Sequence, residues 1–227
     1  MDKLELATLG RGYIDQTPYG IFEFRGHEVI VLPTVLIETN NTGFFSELIE
    51  ELAHKVLQSQ NQCRVFEMGM GTGAAILTVA KIKGVVASAS DISPMAALNA
   101  KANALWWGVE CDIYQGNLFE NVPEGKFEII SWNIPYFKEN PGGIEDVKFR
   151  SGFDPDYQYL TQFLADCQSR LAENGHLMLG VDYLMCDLDT IYQLIDQAGF
   201  KSQVWREMNM TWGVMDVVCA FLLLERK

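Results

Sequence analysis

Val65-Phe-Glu-Met-Gly-Met-Gly-Thr-Gly-Ala74 is the stretch that decides the fold. An apolar segment, Cys63–Met68, predicts a buried strand, and a helix is expected to begin near Ala74. The turn between them contains three glycines at every second position, Gly69, Gly71 and Gly73. Glycine permits positive φ and a close approach of the backbone to a ligand, and the free N–H groups of the following helix face the same place. This order of elements indicates a ligand site at the end of a buried strand.

The glycine spacing differs from the dinucleotide fingerprint Gly-x-Gly-x-x-Gly, because the third glycine comes one residue early. Glu67 stands at the end of the strand, just before the first glycine. A carboxylate there suits a ligand that carries positive charge better than it suits a pyrophosphate. Glycine-rich turns without a ligand are also common, so the turn alone leaves ligand binding open.

Length and composition predict one α/β domain with a small appendage and a full apolar core, since 48% of the 227 residues are hydrophobic and only 21% are charged. The apolar run Val217–Leu224 is too short to cross a membrane. The first residues lack the basic-then-apolar order of a signal peptide. We therefore expect a cytoplasmic protein with no membrane partner.

The net charge of −13, without a basic patch, argues against a nucleic-acid partner and favours a basic one, because nucleic-acid binding needs Lys and Arg to neutralise phosphate. The five cysteines show no Cys-x-x-Cys spacing, and His27, His54 and His176 lie in unrelated segments. This pattern predicts free thiols in a reducing compartment and no metal site. The sequence carries no signal for an oligomeric state.

Strand and helix patterns alternate along the chain. Before the glycine turn the sequence predicts a β-hairpin of Gly20–Phe24 and Glu28–Leu32, a loop over Pro33–Gly43 with the polar run Thr39–Thr42, and a helix over Phe44–Val56. After the turn it predicts strands Gly84–Ser90, Glu110–Gln115, Lys126–Trp132 and His176–Val181, and helices from Ser93 to Gly108, Tyr157 to Leu171 (closed by Gly175) and Leu188 to Ala198. Residues 137–156 should form a long functional loop, and Ser202–Met208 should pair antiparallel with Asp216–Leu224. Residues 1–18 show no clear pattern.

Strands that alternate with helices predict a parallel sheet with helices on both faces, and the ligand of such a sheet lies beyond the carboxyl ends of its strands. Polar residues stand there on four successive predicted strands: Glu67, Asp91, Asn117 and Asn133. Their convergence on one edge is stronger evidence for a site than the glycine turn alone.

With these residues in place, the chain resembles the class I S-adenosylmethionine-dependent methyltransferases over roughly residues 44–227. The resemblance implies a doubly wound sheet of seven mostly parallel strands, with one antiparallel strand near the C-terminus. Residues 1–43, which include the hairpin, would form an N-terminal extension. The implied cofactor is S-adenosylmethionine.

Asn133-Ile134-Pro135-Tyr136 is similar to the Asn-Pro-Pro-Tyr signature of one branch of these enzymes. The closest likeness is to the protein-glutamine N5-methyltransferases, which modify release factors or a ribosomal protein. Val31–Pro33 with Thr42, and Gly152–Asp154, resemble two further segments of that branch. Ile134 replaces the first proline, Asn117 stands where aspartate is usual, and the helical substrate domain of the release-factor enzymes is missing. The last departure leaves the acceptor open.

The resemblance implies a set of cofactor-binding residues: Glu67, Gly69, Gly71, Gly73, Asp91, Ile92, Asn117 and Leu118. The Asp91 carboxylate would accept hydrogen bonds from both ribose hydroxyls, or would only start the helix at Ser93. Asn117 would bind the adenine amino group, or is only a turn residue. Glu67 should lie near the amino or sulfonium end, or only bonds to the glycine turn.

Asn133, Ile134, Pro135 and Tyr136 are the expected catalytic residues. Pro135 forces Ile134 into an extended conformation, so that the Ile134 carbonyl lies beside the Asn133 side chain. Two acceptors then face one side, and a planar NH₂ group has two donors with a matching spread. Holding both hydrogens aims the nitrogen lone pair at the methyl group, while Tyr136 offers a flat face. An ordinary proline turn is the alternative.

The sequence therefore predicts an S-adenosylmethionine-dependent N-methyltransferase that acts on a planar nitrogen. The expected acceptor is a glutamine side chain of a basic translation factor or ribosomal protein. The alternative is a small-molecule amine or heteroaromatic, held by the hairpin and the 137–156 loop; a nucleobase matches the same geometry but is disfavoured by charge. A nicotinamide or flavin oxidoreductase and a binding protein without catalysis are the competing classes.

Overall fold

A computed structural model describes residues 1–37, 40–212 and 215–227. Its elements are α1 (Lys3–Asp15), β1 (Gly20–Phe24), β2 (His27–Val31), α2 (Asn40–Leu57), β3 (Cys63–Met68), α3 (Ala74–Ala80), β4 (Val85–Asp91), α4 (Pro94–Trp107), β5 (Asp112–Gln115), β6 (Phe127–Asn133), α5 (Gln158–Arg170), β7 (Leu171–Asp182), α6 (Leu188–Gln197), β8 (Phe200–Trp212) and β9 (Met215–Arg226). Thr39, in the predicted polar run, lies outside the described residues, as do Glu38 and the residues 213–214 between β8 and β9.

Seven strands form one sheet in the order β5-β4-β3-β6-β7-β9-β8. The pairs from β5 to β7 are parallel, and β9 runs antiparallel to both of its neighbours. This confirms the predicted mostly parallel sheet with one antiparallel strand. Helices α2, α3 and α4 pack on one face and α5 and α6 on the other, each over its own apolar core. Strand order reverses between β3 and β6, the position at which doubly wound sheets bind ligands.

Helix α1 lies within residues 1–18, where the sequence shows no clear pattern. Asp2 and Glu5 form a capping box at its start, a spacing that was visible in the sequence. Its buried residues Leu6, Ala7 and Ile14 pack against the loop over 137–156. The loop itself contains two short 3₁₀ helices, Val147–Ser151 and Pro155–Tyr157.

Two predicted boundaries were wrong. Helix α2 begins at Asn40, inside the predicted loop over Pro33–Gly43. Gly175 does not end a helix, because β7 already begins at Leu171 and the β6–β7 pairing shifts register in this region. A Cβ at Gly175 would lie 3.0 Å from the Phe127 carbonyl oxygen, so this glycine permits a close approach of two strands.

The β1–β2 hairpin is confirmed, and it is held against α4 and against Ala74, which follows the glycine turn. Asn99 Oδ1 accepts from the Leu32 N–H at 2.7 Å, and Asn103 Oδ1 accepts from the Ile30 N–H at 2.8 Å. Trp107 adds a hydrogen bond to the Glu28 carbonyl. All five cysteines are free thiols. Within the described ranges, no helix combines the length and apolar character needed to span a membrane.

Candidate active site

The carboxyl ends of β3, β4, β5 and β6 open onto one cleft of about 280 Å³. Eleven of the twelve residues predicted for the site line it: Glu67, Gly69, Gly71, Asp91, Ile92, Asn117, Leu118, Asn133, Ile134, Pro135 and Tyr136. Gly73 does not. A Cβ on Gly73 would lie 2.9 Å from the Ala100 Cβ, so Gly73 serves the packing of α3 against α4. The structure thus brings the predicted residues together, while their roles stay predictions.

The glycine turn leaves room for a ligand at one position. Gly69 and Gly71 have φ values of 65° and 57°, a left-handed conformation that favours glycine. A Cβ on Gly69 would lie 2.9 Å from Trp132 Nε1, whereas a Cβ on Gly71 would meet no atom within 4 Å. Because Gly71 lines the cleft, a side chain there would enter the space that a bound ligand needs.

Asp91 bridges the glycine turn and the start of α4. Its Oδ2 accepts from the Gly71 N–H at 3.0 Å and its Oδ1 accepts from the Ser93 N–H at 2.9 Å. Burial raises the pKa of Asp91 to about 6, although the two backbone donors lower it. Both readings of Asp91 therefore fit the geometry, since it helps to begin α4 and also lines the cleft. Each carboxylate oxygen keeps a lone pair for a ligand hydroxyl.

Glu67 and the Asn117–Leu118 turn lie on the two sides of Asp91. Glu67 is buried at the end of β3. Leu118 is buried and has a left-handed φ of 51°. Its carbonyl oxygen accepts a hydrogen bond from Ser90 Oγ at 2.9 Å. Ser90, which the sequence reading did not single out, therefore fixes this turn. Two carboxylates, apolar Ile92 and Leu118, and the open space at Gly71 fit the hydroxyls, amino group and adenine of S-adenosylmethionine.

The Asn133–Tyr136 segment begins at the last residue of β6 and is held by several hydrogen bonds, among them one from the Tyr157 hydroxyl to the Tyr136 carbonyl at 3.2 Å. The Ile134 N–H donates to the Gly180 carbonyl at 3.2 Å. The Tyr136 hydroxyl donates to Asn133 Oδ1 at 3.0 Å and accepts from Asn41 Nδ2. Burial raises the pKa of Tyr136 well above its usual range, so the hydroxyl keeps its proton. Tyr136 therefore orients Asn133, a role that the sequence reading missed.

Gly180 and Asn41 were also missed. Gly180 pairs with Asn133 across β7 and β6, and a Cβ on it would lie 2.4 Å from Asn133 Oδ1. An isolated glycine in a strand pattern signals a close approach, which was the only hint in the sequence. Asn41 gave no signal, because it stood in a segment read as a loop.

The far end of the cleft is covered by α1 and the 137–156 loop. It is lined by Tyr13, Ile14, Arg150, Ser151, Gly152, Tyr159, Met185, Met210 and Val217. Arg150 lies over the Tyr159 ring, with 5.0 Å to its centroid. No residue of the β1–β2 hairpin lines the cleft, so the prediction that the hairpin would hold a small substrate was wrong. Residues of the 137–156 loop do line the cleft, as predicted. Helix α1 lies beside them, where the hairpin was expected.

Several known proteins are similar to this chain. The methyltransferase small domain family matches residues 45–185. A Methanocaldococcus jannaschii protein assigned as a protein N5-glutamine methyltransferase is 28% identical over 162 residues, which cover 70% of this chain and 81% of that protein. The release factor glutamine methyltransferase of Neisseria gonorrhoeae is 29% identical over 170 residues, 70% of this chain and 60% of that enzyme. The chain therefore spans less than two thirds of this bacterial relative.

Among solved structures, a ribosomal protein L11 methylase from Lactobacillus delbrueckii subsp. bulgaricus has the same fold. The TM-score is 0.54 at 22% identity, and the match covers 81% of this chain and 79% of that one.

Proposed function

Because the chain belongs to the methyltransferase small domain family, we propose that it methylates the side-chain amide nitrogen of glutamine in a protein. It is an S-adenosylmethionine-dependent methyltransferase. The glutamine acceptor, the branch with the Asn-Pro-Pro-Tyr signature and the roles of the single residues are the proposal. The two relatives described above are named for glutamine methylation, which supports the acceptor.

The observation that carries the proposal is the fixed orientation of the Asn133 amide at the cleft. Tyr136 donates to Asn133 Oδ1, and that oxygen has a second lone pair for an N–H of the acceptor. The Ile134 carbonyl, in the same extended segment, would accept the other N–H of a primary amide. With both N–H groups held, the nitrogen is aimed and made more nucleophilic, and the proton that it loses on methylation would pass to solvent rather than to a general base.

S-adenosylmethionine supplies a methyl group on a positively charged sulfur when it is bound. Glu67 and Asp91 would place it, since their carboxylates suit its amino group and ribose hydroxyls. Asn133 and Ile134 would hold the acceptor nitrogen, and Tyr136 would keep Asn133 in place. Glu67, Leu118 and Ile134 are buried, and the low dielectric around them strengthens the hydrogen bonds made beside them.

The protein partner is proposed from charge. At a net charge of −13 the surface attracts a basic protein, such as a translation factor or a ribosomal protein. A glutamine on a protruding loop would have to reach the cleft beside α1 and the 137–156 loop.

A small amine acceptor is the second candidate, and the covered far end of the cleft favours it. Arg150 lines this end, and its positive charge offsets part of the rise that burial causes in the pKa of Asp154. Its guanidinium would pair with a carboxylate of a small acceptor. The same cover would exclude a bulky folded partner.

A labelled extract decides between these acceptors. The protein is incubated with S-adenosylmethionine labelled in the methyl group and a cell extract, which is then separated into protein, nucleic-acid and small-molecule fractions. Glutamine methylation predicts label in the protein fraction, and mass spectrometry should find one added methyl group on a glutamine side chain. Asn133→Ala is the control and should abolish the label. Label confined to small molecules would overturn the glutamine acceptor and support the second candidate.

A further inference from the structure

We propose that Asn41 is a positioning residue that acts on Asn133 through the Tyr136 hydroxyl. Asn41 lies in the first turn of α2, is only 3% exposed and lines the cleft. Its Nδ2 donates to the Tyr136 hydroxyl, which in turn donates to Asn133 Oδ1 at 3.0 Å. The three side chains form one hydrogen-bond chain from α2 to the end of β6.

The hydrogen bonds between these three side chains run in one direction, and Asn41 sets that direction. An amide NH₂ can only donate, so the Tyr136 oxygen accepts at that end and its single proton is left for Asn133. A competing partner lies beside this hydroxyl, because the Cys219 side chain also hydrogen-bonds with Tyr136. Without the donor at Asn41, the Tyr136 proton would be shared between Asn133 and Cys219. Asn133 would then lose the bond that fixes its amide plane.

A second observation separates this role from simple packing. Asn41 Oδ1 is buried, and none of the described residues donates a hydrogen bond to it. A buried carbonyl oxygen without a donor lowers the stability of a fold, so the contribution of Asn41 to folding does not by itself explain this side chain. The unpaired oxygen at the cleft instead fits a side chain held in place for the site.

The test compares Asn41→Ala, Asn41→Asp and Tyr136→Phe with the wild type. Asn41→Asp keeps the shape but removes the NH₂ donor. In ¹⁵N-labelled protein, the side-chain amide signals of Asn133 should shift in all three variants. Methyl transfer to a glutamine acceptor should slow about tenfold or more in single turnovers, while S-adenosylmethionine affinity measured by calorimetry changes less than about threefold.

A double variant and a control complete the test. Because Asn41 and Tyr136 act through the same hydrogen bonds, the double variant Asn41→Ala with Tyr136→Phe should transfer the methyl group no more slowly than the slower single variant. A rate loss equal to the product of the two single losses would overturn the proposal. Asn99→Asp makes the same change at a buried asparagine outside the cleft, and should lower thermal stability without moving the Asn133 signals.

This inference rests on the proposed function for its rate measurement only. If the wild type leaves glutamine unmethylated, the glutamine acceptor fails, and the Asn133 signals still decide the inference. Signals that stay unchanged in Asn41→Ala and Asn41→Asp would overturn it.

Discussion

The Asn133 amide occupies the space that a side chain on Gly180 would need. An added Cβ on Gly180 would lie 2.4 Å from Asn133 Oδ1 and 3.4 Å from the Asn133 Cα. The two residues are paired in the parallel ladder of β7 and β6, where glycine is normally less stable than alanine by roughly 0.5–1 kcal/mol. The room that Asn133 requires explains why glycine stands at this position.

Gly180→Ala should therefore impair methyl transfer and leave cofactor binding intact. The new methyl group would push the Asn133 amide away from Tyr136, and loss of an oriented polar group lowers kcat by about 10²-fold. Gly125→Ala is the matched control, because a Cβ there meets no atom within 4 Å and its φ is not in the left-handed region. Single-turnover kinetics and calorimetry check both variants. Equal rates in the two variants would show that Asn133 has no part in the reaction.

Gly71→Ala should weaken S-adenosylmethionine binding, and Gly108→Ala should not. Both glycines have similar left-handed φ values, 57° and 63°, and at both a Cβ meets no atom within 4 Å. Alanine should therefore lower stability by a similar amount at each, about 1–2 kcal/mol. Only Gly71 lines the cleft, where an intruding methyl group should weaken binding about tenfold or more. Calorimetry and thermal unfolding measure the two effects, and equal affinities would place the ligand elsewhere.

Binding of S-adenosylmethionine should depend on pH through Asp91. The pKa of this carboxyl is raised to about 6 by burial, so the group loses its charge as pH falls through 6. Only the ionised form accepts from two hydroxyls, so affinity should be constant above about pH 7 and fall about tenfold per pH unit below 6. Calorimetry between pH 5 and 8 gives the profile. Asp91→Asn should bind weakly at every pH, and a wild-type slope in that variant would assign the titration to another group.

The sheet could be predicted from the sequence because its signals are local. The buried strand Cys63–Met68, the glycine turn and the capped helix after Ser93 each carry their pattern within a few residues, and their alternation determines the parallel order. The polar residues at the strand ends followed from that order. Their convergence on one cleft is therefore a consequence of topology.

The residues that orient the site could not be predicted in this way. Gly180 matters because of a partner on the neighbouring strand, and Asn41 because α2 brings it to Tyr136. Neither contact leaves a local pattern, since both depend on register and packing between distant segments. Helix α1 did leave a signal, the capping box of Asp2 and Glu5, but its weakly patterned apolar face obscured it.

Two glycines of α1 allow a test of whether this helix helps to form the acceptor site. A Cβ on Gly10 would lie 2.4 Å from the Phe137 ring, which is buried and stacked on Phe153, whereas a Cβ on Gly12 would meet no atom within 4 Å. Gly12→Ala should raise stability by roughly 0.5–1 kcal/mol, as expected for glycine in a helix.

Gly10→Ala should instead lower stability by roughly 1–3 kcal/mol, because the methyl group overpacks the contact between α1 and the 137–156 loop. Phe137 directly follows Tyr136, so a displaced loop should raise the KM for the acceptor while the affinity for S-adenosylmethionine stays the same. Urea unfolding and steady-state kinetics on both variants measure these changes. An unchanged acceptor KM in a destabilised Gly10→Ala protein would mean that α1 supports the fold and takes no part in holding the acceptor.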